Sequence, residues 1–404
     1  MLKKLTIRNF KAIQDMTIEF TPLTVLIGGN SCGKSTILQA LDFLRASSFR
    51  DIPEYLREKG WKIEELKSQI NNGQHKPIEF VSVYEFLIDE KKELLCWTFQ
   101  IDHDEKKWII NEKLESLTTK EKIYSSGFEN YKPMIAGNHD AFAGAPNAIA
   151  HDIREINLQS SWLKYIETDQ KNSLFALKNF LTESAFFGLL SPDSIRKGKE
   201  QISDENIGQN GINLATFIHS MSPEDREYLN KGVSKFIESK IKIETVDIGK
   251  KIDFFIEEKF GILISRINKD HISDGLLRLI AFAALYLQKY INNPYHGFIL
   301  LDEIENGINP YMTEQIVSLL REINEKQKRQ IIVTTHSPVI LNNFNQEEII
   351  FLWKDNNGSV YSRKFFESDE MKSLLEALNP GEVWINLEKE DILERLSIKK
   401  EGKE

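Results

Sequence analysis

Leu23-Thr24-Val25-Leu26-Ile27-Gly28-Gly29-Asn30-Ser31-Cys32-Gly33-Lys34-Ser35-Thr36-Ile37-Leu38-Gln39-Ala40-Leu41 runs from an apolar stretch, through a glycine-rich loop, into a helical pattern. From Gly28 to Ser35 it is a full G-x-x-x-x-G-K-[ST] phosphate loop, and the strand before it and the helix after it are the setting that motif requires. Glycines let the backbone turn tightly, so that successive N–H groups point inward at phosphate oxygens. The helix beginning near Gly33 adds the positive end of its dipole. Lys34 is expected to reach the β- and γ-phosphates, and the Ser35 hydroxyl to bind Mg²⁺. Gly28, Gly29, Asn30, Ser31, Cys32, Gly33 and Thr36 complete the expected nucleotide-binding set. A glycine-rich turn matching by chance would not bring both flanking elements with it.

Working outward, Ile299-Leu300-Leu301-Asp302-Glu303 is an apolar run that ends in two acids. A buried parallel strand that delivers carboxylates to its C-terminal edge reads this way. Asp302 is expected to hold Mg²⁺ beside Ser35, and Glu303 to act as general base on water. Such an acidic pair is common on its own; with a phosphate loop upstream it has something to serve. Between the two lies Ile272-Ser273-Asp274-Gly275-Leu276-Leu277-Arg278, which opens a strongly apolar helix. A hydroxyl, free amides and a helix dipole at one place are anion-binding chemistry again, although an ordinary capped core helix starts in the same manner.

At Ser273-Asp274-Gly275 the chain resembles the ABC-type ATPases, specifically RecF/SMC-like heads and the ATPase part of the overcoming-lysogenisation-defect proteins. The resemblance implies an α/β fold: an ABC-type P-loop NTPase head with a mixed sheet, flanking helices, an antiparallel β-lobe and a helical insertion. It also implies that Ser273, Asp274 and Gly275 of one protomer contact the γ-phosphate bound on another. Glu305-Asn306-Gly307-Ile308-Asn309-Pro310 stands where these families have a D-loop at the dimer interface, with Asn309 where many relatives carry His. Thr334-Thr335-His336-Ser337-Pro338, after the strand Gln330-Ile331-Ile332-Val333, resembles the switch-histidine segment, and His336 is expected to hydrogen-bond the γ-phosphate or hold the water. The start Leu2-Lys3-Lys4-Leu5-Thr6-Ile7-Arg8-Asn9-Phe10-Lys11 is similar to the opening strand of such heads. No glutamine is distinguished as a Q-loop residue.

Three stretches follow from the patterning. Residues 1–118 read as the first half of the head with the phosphate loop and a β-lobe, including the β-rich runs Phe80–Ile88, Leu94–Ile101 and Trp108–Ile110. Residues 119–240 read as an insertion lobe, flexible and rich in Gly, Ala and Asn around 135–147, then mainly helical from Asp152 to Lys240. Residues 241–404 read as the second half, with a hairpin at Ile349–Trp353, the turn Asn356-Asn357-Gly358 and Val360–Ser362. The absence of a long heptad run excludes a cohesin-like rod. About forty residues remain after the hairpin, and no Toprim nuclease is expected in them. His139-Asp140 lacks companion ligands at helical spacing and is not read as an HD hydrolase.

A chain of 404 residues with two cysteines shows no disulfide framework, and its start shows no signal peptide. The longest apolar stretch is too short for a membrane span. A cytoplasmic protein is expected, with no membrane partner. The net charge of −9 argues against a nucleic-acid coat but leaves room for one basic groove. The expected cofactors are ATP and Mg²⁺, and the expected partner is a second copy. Two functions follow from the resemblance: an ATPase clamping duplex DNA, in phage defence or repair, or an ATP-gated scaffold that holds a separate effector such as a nuclease or toxin. A transporter ATPase does not fit the Ser-Asp-Gly form or the N-terminus.

Overall fold

A computed structural model describes residues 1–70, 76–104, 107–129, 132–137, 159–165, 172–188, 190–199, 207, 208, 210–237, 240–287 and 296–398. His139-Asp140, much of the Gly/Ala/Asn-rich stretch and the charged tail lie outside the described residues. Among those described, no helix is long and apolar enough to cross a membrane.

The chain begins with strands β1 (Leu2–Phe10), β2 (Ile13–Glu19) and β3 (Leu23–Gly28), followed by the helix Lys34–Ser47. Strands β4 (Ile78–Ile88), β5 (Lys91–Asp104), β6 (Lys107–Ser116), β7 (Lys122–Glu129) and β8 (Lys132–Gly137) come next. With β1 and β2 they form an antiparallel sheet in the order β2-β1-β4-β5-β6-β7-β8. In β4 the alternation is regular, with Ile78, Phe80, Ser82, Tyr84 and Phe86 buried. Such a period-2 pattern belongs to a sheet with one face on a core.

A second sheet holds β9 (Ala185–Phe187), β13 (Phe298–Leu301), β14 (Gln330–Thr334), β15 (Ile349–Lys354) and β16 (Val360–Lys364), with β3 near its middle. Its order is β16-β15-β3-β14-β13-β9, parallel except for the β15–β16 hairpin. The central strands β3, β13, β14 and β15 are nearly continuous apolar runs because both their faces are covered, whereas the edge strand β16 is polar and largely exposed. Leu26, Leu300 and Ile332 point into a core shared with the β-lobe and the helix Lys34–Ser47. Val25, Ile27, Ile299, Leu301, Ile331 and Val333 point into a second core under the helix Asp274–Leu287 and the C-terminal helices. A three-stranded antiparallel sheet of β10 (Ile241–Asp247), β11 (Ile252–Phe260) and β12 (Leu263–Asn268) lies between the helix Pro223–Ser234 and the helix Asp274–Leu287 in the chain.

The antiparallel sheet therefore runs on past residue 118 through β7 and β8, and β9 from within 119–240 joins the second sheet. Helices at Ser173–Thr182, Pro192–Lys197, Leu214–Ser220 and Pro223–Ser234 also lie in that stretch. The lobes are thus interleaved in sequence: strands there find partners whose edges other segments have left open.

The β-lobe is pinned to the segment 159–165 by Glu112 on β6. Its Oε2 accepts from the Tyr124 hydroxyl at 3.1 Å and from the Trp162 N–H at 3.0 Å. Burial pushes the Glu112 carboxyl from its ordinary 4.5 up to about 7, against the hydrogen bonds from Ser161, Trp162 and Tyr124, which favour its ionised form. Because the folded-state value is the higher, the associated stability is complete below pH 4.5 and is lost as pH rises through 7. We expect urea unfolding of the wild type to lose on the order of 3 kcal/mol from this group between pH 5 and pH 8. Glu112→Gln should remove that component; an unchanged pH profile in the variant would contradict the assignment.

Packing of the helix Ser173–Thr182 against the start of β13 is equally specific at Gly297. A Cβ there would lie 2.4 Å from the Ser184 nitrogen and 2.5 Å from the Phe180 carbonyl oxygen. Gly297→Ala should lower unfolding free energy by about 3 kcal/mol, read from the urea midpoint.

Candidate nucleotide-binding site

The order of the parallel sheet sets β14 between β3 and β13, so three loops leave its C-terminal edge side by side. They carry the phosphate loop, the Asp302-Glu303 pair and the segment Thr334–Ser337. Crevices at that edge are where open α/β sheets bind ligands.

In the phosphate loop, Gly28 has φ 151° and Gly33 has φ 101°, conformations that L side chains rarely adopt. A Cβ on Gly28 would lie 2.3 Å from the Leu352 carbonyl oxygen on the neighbouring β15. The loop thus needs glycine at Gly28 for both torsion and space. Gly33 caps the helix Lys34–Ser47, whose first turn carries no acid to offset the positive dipole end. Lys34 is only 5 % exposed, and its Nζ donates to the carbonyl oxygens of Gly28 at 2.9 Å and Gly29 at 3.0 Å. Gly29, Asn30 and Ser31 are exposed, whereas Cys32 is buried. Burial pushes the Cys32 thiol up, against the nearby Lys34 ammonium, so it is a packing residue and not a thiolate nucleophile.

Asp302 follows β13, and its Oδ1 accepts from the Ser35 hydroxyl at 3.3 Å and from the Thr334 hydroxyl at 2.5 Å. Thr334 Oγ1 in turn accepts from the Glu303 N–H at 2.8 Å. One hydroxyl therefore joins two of the three loops while also fixing Glu303. Glu303 has φ 48°, a left-handed conformation uncommon outside glycine and frequent at functional sites. Its side chain is exposed, with Oε2 accepting from the Asn306 amide at 3.5 Å.

Glu305 fastens the third loop. Its carboxylate accepts from the Thr335 hydroxyl at 2.8 Å and the His336 N–H at 2.5 Å. The Thr335 N–H donates to the Leu26 carbonyl oxygen at 3.3 Å, which ties the loop to β3. The His336 ring is exposed at the mouth of the crevice. Ser35 and Asp302, a hydroxyl and a carboxylate in contact, fit a hard cation that keeps several waters, as Mg²⁺ does. Among the described residues no cluster of three His, Cys, Asp or Glu exists that could hold a metal on its own.

Ser273 and Asp274 are exposed at the start of the helix Asp274–Leu287. The Ser273 hydroxyl accepts from the Leu276 N–H at 3.4 Å, and Asp274 Oδ1 accepts from Arg196 at 2.5 Å. Among the described residues no hydrogen bond joins either to the phosphate loop of the same chain. Behind them the helix is locked to the loop after Glu303. A Cβ on Gly275 would lie 2.6 Å from the Gly307 carbonyl oxygen. Arg278, buried in the apolar helix, donates to the Asn306 carbonyl oxygen and to that of Leu190 at 2.9 Å.

Thr334, Glu305 and Arg278 stand inside the segments that the sequence singles out, but no role is assigned to them there: nothing local says that the Thr334 hydroxyl meets Asp302, that Glu305 holds the His336 backbone or that Arg278 binds the Asn306 carbonyl.

Comparison with known proteins agrees with this geometry. Residues 23–129 and 166–342 match the family model described as "AAA domain, putative AbiEii toxin, Type IV TA system". The chain belongs to this family. It is an AAA-domain protein with local similarity to an overcoming-lysogenisation-defect nuclease. It is 43 % identical over 44 residues to an OLD nuclease of Thermus scotoductus, 11 % of this chain and 8 % of that one. It is 23 % identical over 376 residues to endonuclease GajA of Bacillus cereus, covering 79 % of this chain and 52 % of GajA. An ATP/GTP phosphatase of Helicobacter pylori is 21 % identical over 401 residues, 91 % of this chain and 96 % of that protein. The chain thus spans a small part of the first relative and about half of the second.

The Thr334 bridge is testable. Thr334→Val keeps the shape and removes the hydroxyl, and should weaken Mg²⁺-dependent nucleotide binding about tenfold by titration calorimetry. Binding equal to wild type would mean that the bridge does not orient Asp302.

Proposed function

We propose that this protein binds and hydrolyses ATP and that ATP joins two copies head-to-tail. The observation that carries this reading is the Ser35–Asp302 contact at 3.3 Å, which unites the phosphate loop and an acidic strand end 267 residues apart. Lys34 binds the β- and γ-phosphates. Ser35 and Asp302 would hold Mg²⁺, which would neutralise charge on the phosphate oxygens. Glu303, aimed outward by its left-handed backbone, takes a proton from the attacking water, whose oxygen bonds to the γ-phosphorus as the bond to ADP breaks. His336 steadies the transferring phosphoryl group. Ser273, Asp274 and Gly275 of the second copy cap the γ-phosphate; the exposure of Ser273 and Asp274 in this chain supports that assignment. Hydrolysis removes the group that bridges the protomers, so the dimer loosens, and ATP acts as a two-state switch.

Three variants test the scheme. Lys34→Ala should lose nucleotide binding. Glu303→Gln should bind ATP and accumulate dimers while hydrolysis falls at least about a hundredfold; a fully active Glu303→Gln protein would sink the assignment. Ser273→Arg should bind ATP and stay monomeric in sedimentation.

The output we propose is DNA-related work, in phage defence or repair. The names of two relatives, a nuclease and an endonuclease, support it. The net charge of −9 favours a second reading, an ATP-gated scaffold for a separate nuclease or toxin. ATPase stimulation by duplex DNA that falls steeply with salt supports the first; DNA-indifferent hydrolysis supports the second.

A further inference from the structure

Tyr311 is 90 % exposed. It sits in the short 3₁₀ turn Pro310–Met312, and the turn is rigidly held: the Tyr311 N–H donates to the Asn309 side chain at 3.1 Å and the Met312 N–H to the Asn309 carbonyl at 2.8 Å. A large aromatic on a fixed turn with almost no contact of its own is a surface anchor awaiting a pocket.

A cavity of about 400 Å³ lies beside the phosphate loop, lined by Gly29, Asn30, Phe351, Trp353, Trp384 and Lys389 among others. The Phe351 ring packs 5.5 Å from that of Trp353 and 5.9 Å from that of Trp384, giving the cavity an aromatic wall. Gly29 and Asn30 are exposed, while Trp384 is half-buried. The Lys389 Nζ, held by the Lys354 carbonyl at 2.8 Å, supplies a polar rim. An aromatic body with a hydroxyl tip matches such a lining.

The two features stand on opposite halves of the composite site. Tyr311 follows the loop that Gly275 and Arg278 clamp to the helix Asp274–Leu287. Wherever the helix end with the exposed Ser273 and Asp274 goes, the Asn306–Tyr311 segment travels with it. The cavity, by contrast, adjoins the phosphate loop that receives the partner's Ser273–Gly275 end. We propose that Tyr311 of each protomer seats in the aromatic cavity beside Gly29 and Asn30 of its partner. The inference rests on the ATP-bridged dimer proposed above and supplies that dimer with an anchor that does not itself touch the nucleotide. A two-fold arrangement forms the contact twice.

The test uses the full chain carrying Glu303→Gln to retain ATP. With Tyr311→Cys and Trp384→Cys added, a short bismaleimide should give covalent dimers with ATP and Mg²⁺, and none when Ser273→Arg is also present. Each single-cysteine variant should give none. In sedimentation, Tyr311→Ala should weaken ATP-dependent dimerisation about tenfold or more, and Tyr311→Phe should restore most of it. Should Glu303→Gln dimerise with ATP while the cysteine pair stays uncoupled and Tyr311→Ala matches its parent, the anchor is overturned and the dimer stands. Should Glu303→Gln remain monomeric with ATP, both fall. Quenching of Trp384 by ATP in monomeric Ser273→Arg, referenced to Trp384→Phe, would assign the cavity to nucleotide and also overturn the anchor.

Discussion

Asp302 Oδ1 receives two hydroxyls, from Ser35 and from Thr334, and the organisation of the site depends on that convergence. Ser35 comes from the first turn after the phosphate loop, Thr334 from the end of β14, and Asp302 from the end of β13. A charged acceptor with two donors makes stronger hydrogen bonds than neutral pairs. It also fixes the spacing of three loops that the chain delivers from distant positions. Thr334 extends the same network to the backbone of Glu303, so the residue assigned as base is oriented by the group that orients the residue assigned to the metal.

That convergence is possible because the central strands have no polar face. β3, β13 and β14 send alternate residues into two separate cores, one shared with the β-lobe and one beneath the helix Asp274–Leu287. Polar chemistry is thereby confined to the strand ends. The same architecture gives the site two mechanical connections. Glycine at positions 28 and 33 allows the phosphate loop to lie against β15 and β16, while the Gly275–Gly307 contact and Arg278 bind the start of the helix Asp274–Leu287 to the loop that follows the acidic pair. A change felt at Glu303 is in this way only a few residues from the exposed Ser273 and Asp274.

Much of the fold was legible because local patterns coincide with tertiary roles. The strand–loop–helix at 23–41 and the hairpin at 349–364 announce themselves through periodicity, glycine and turn residues. The hairpin turn closes on Asp355, whose side chain accepts from the N–H groups of Asn357 and Ser359. Other elements carry no such mark. β9 is three residues long and becomes a strand only because β13 presents an open edge. Glu112 reads as one more acid in a polar strand; its burial against Tyr124 and Trp162 is decided by a segment fifty residues away. The C-terminal helices Pro380–Asn386 and Lys389–Arg395 acquire meaning by packing, through Gly381 on Asn342 and Lys389 on the Lys354 carbonyl.

By itself the sequence determined which chemistry is on offer: a phosphate loop, an acidic strand end, a signature-like helix start and a histidine after a strand. Those are local statements, since glycine torsions, helix dipoles and apolar runs act over a few residues. Only the tertiary structure decided that Ser35, Asp302 and Thr334 meet, that Glu305 holds the His336 backbone, and that Ser273 and Asp274 stay exposed. Those facts follow from strand order and from hydrogen bonds closing over hundreds of residues, and no spacing along a chain encodes which edges of a sheet become neighbours.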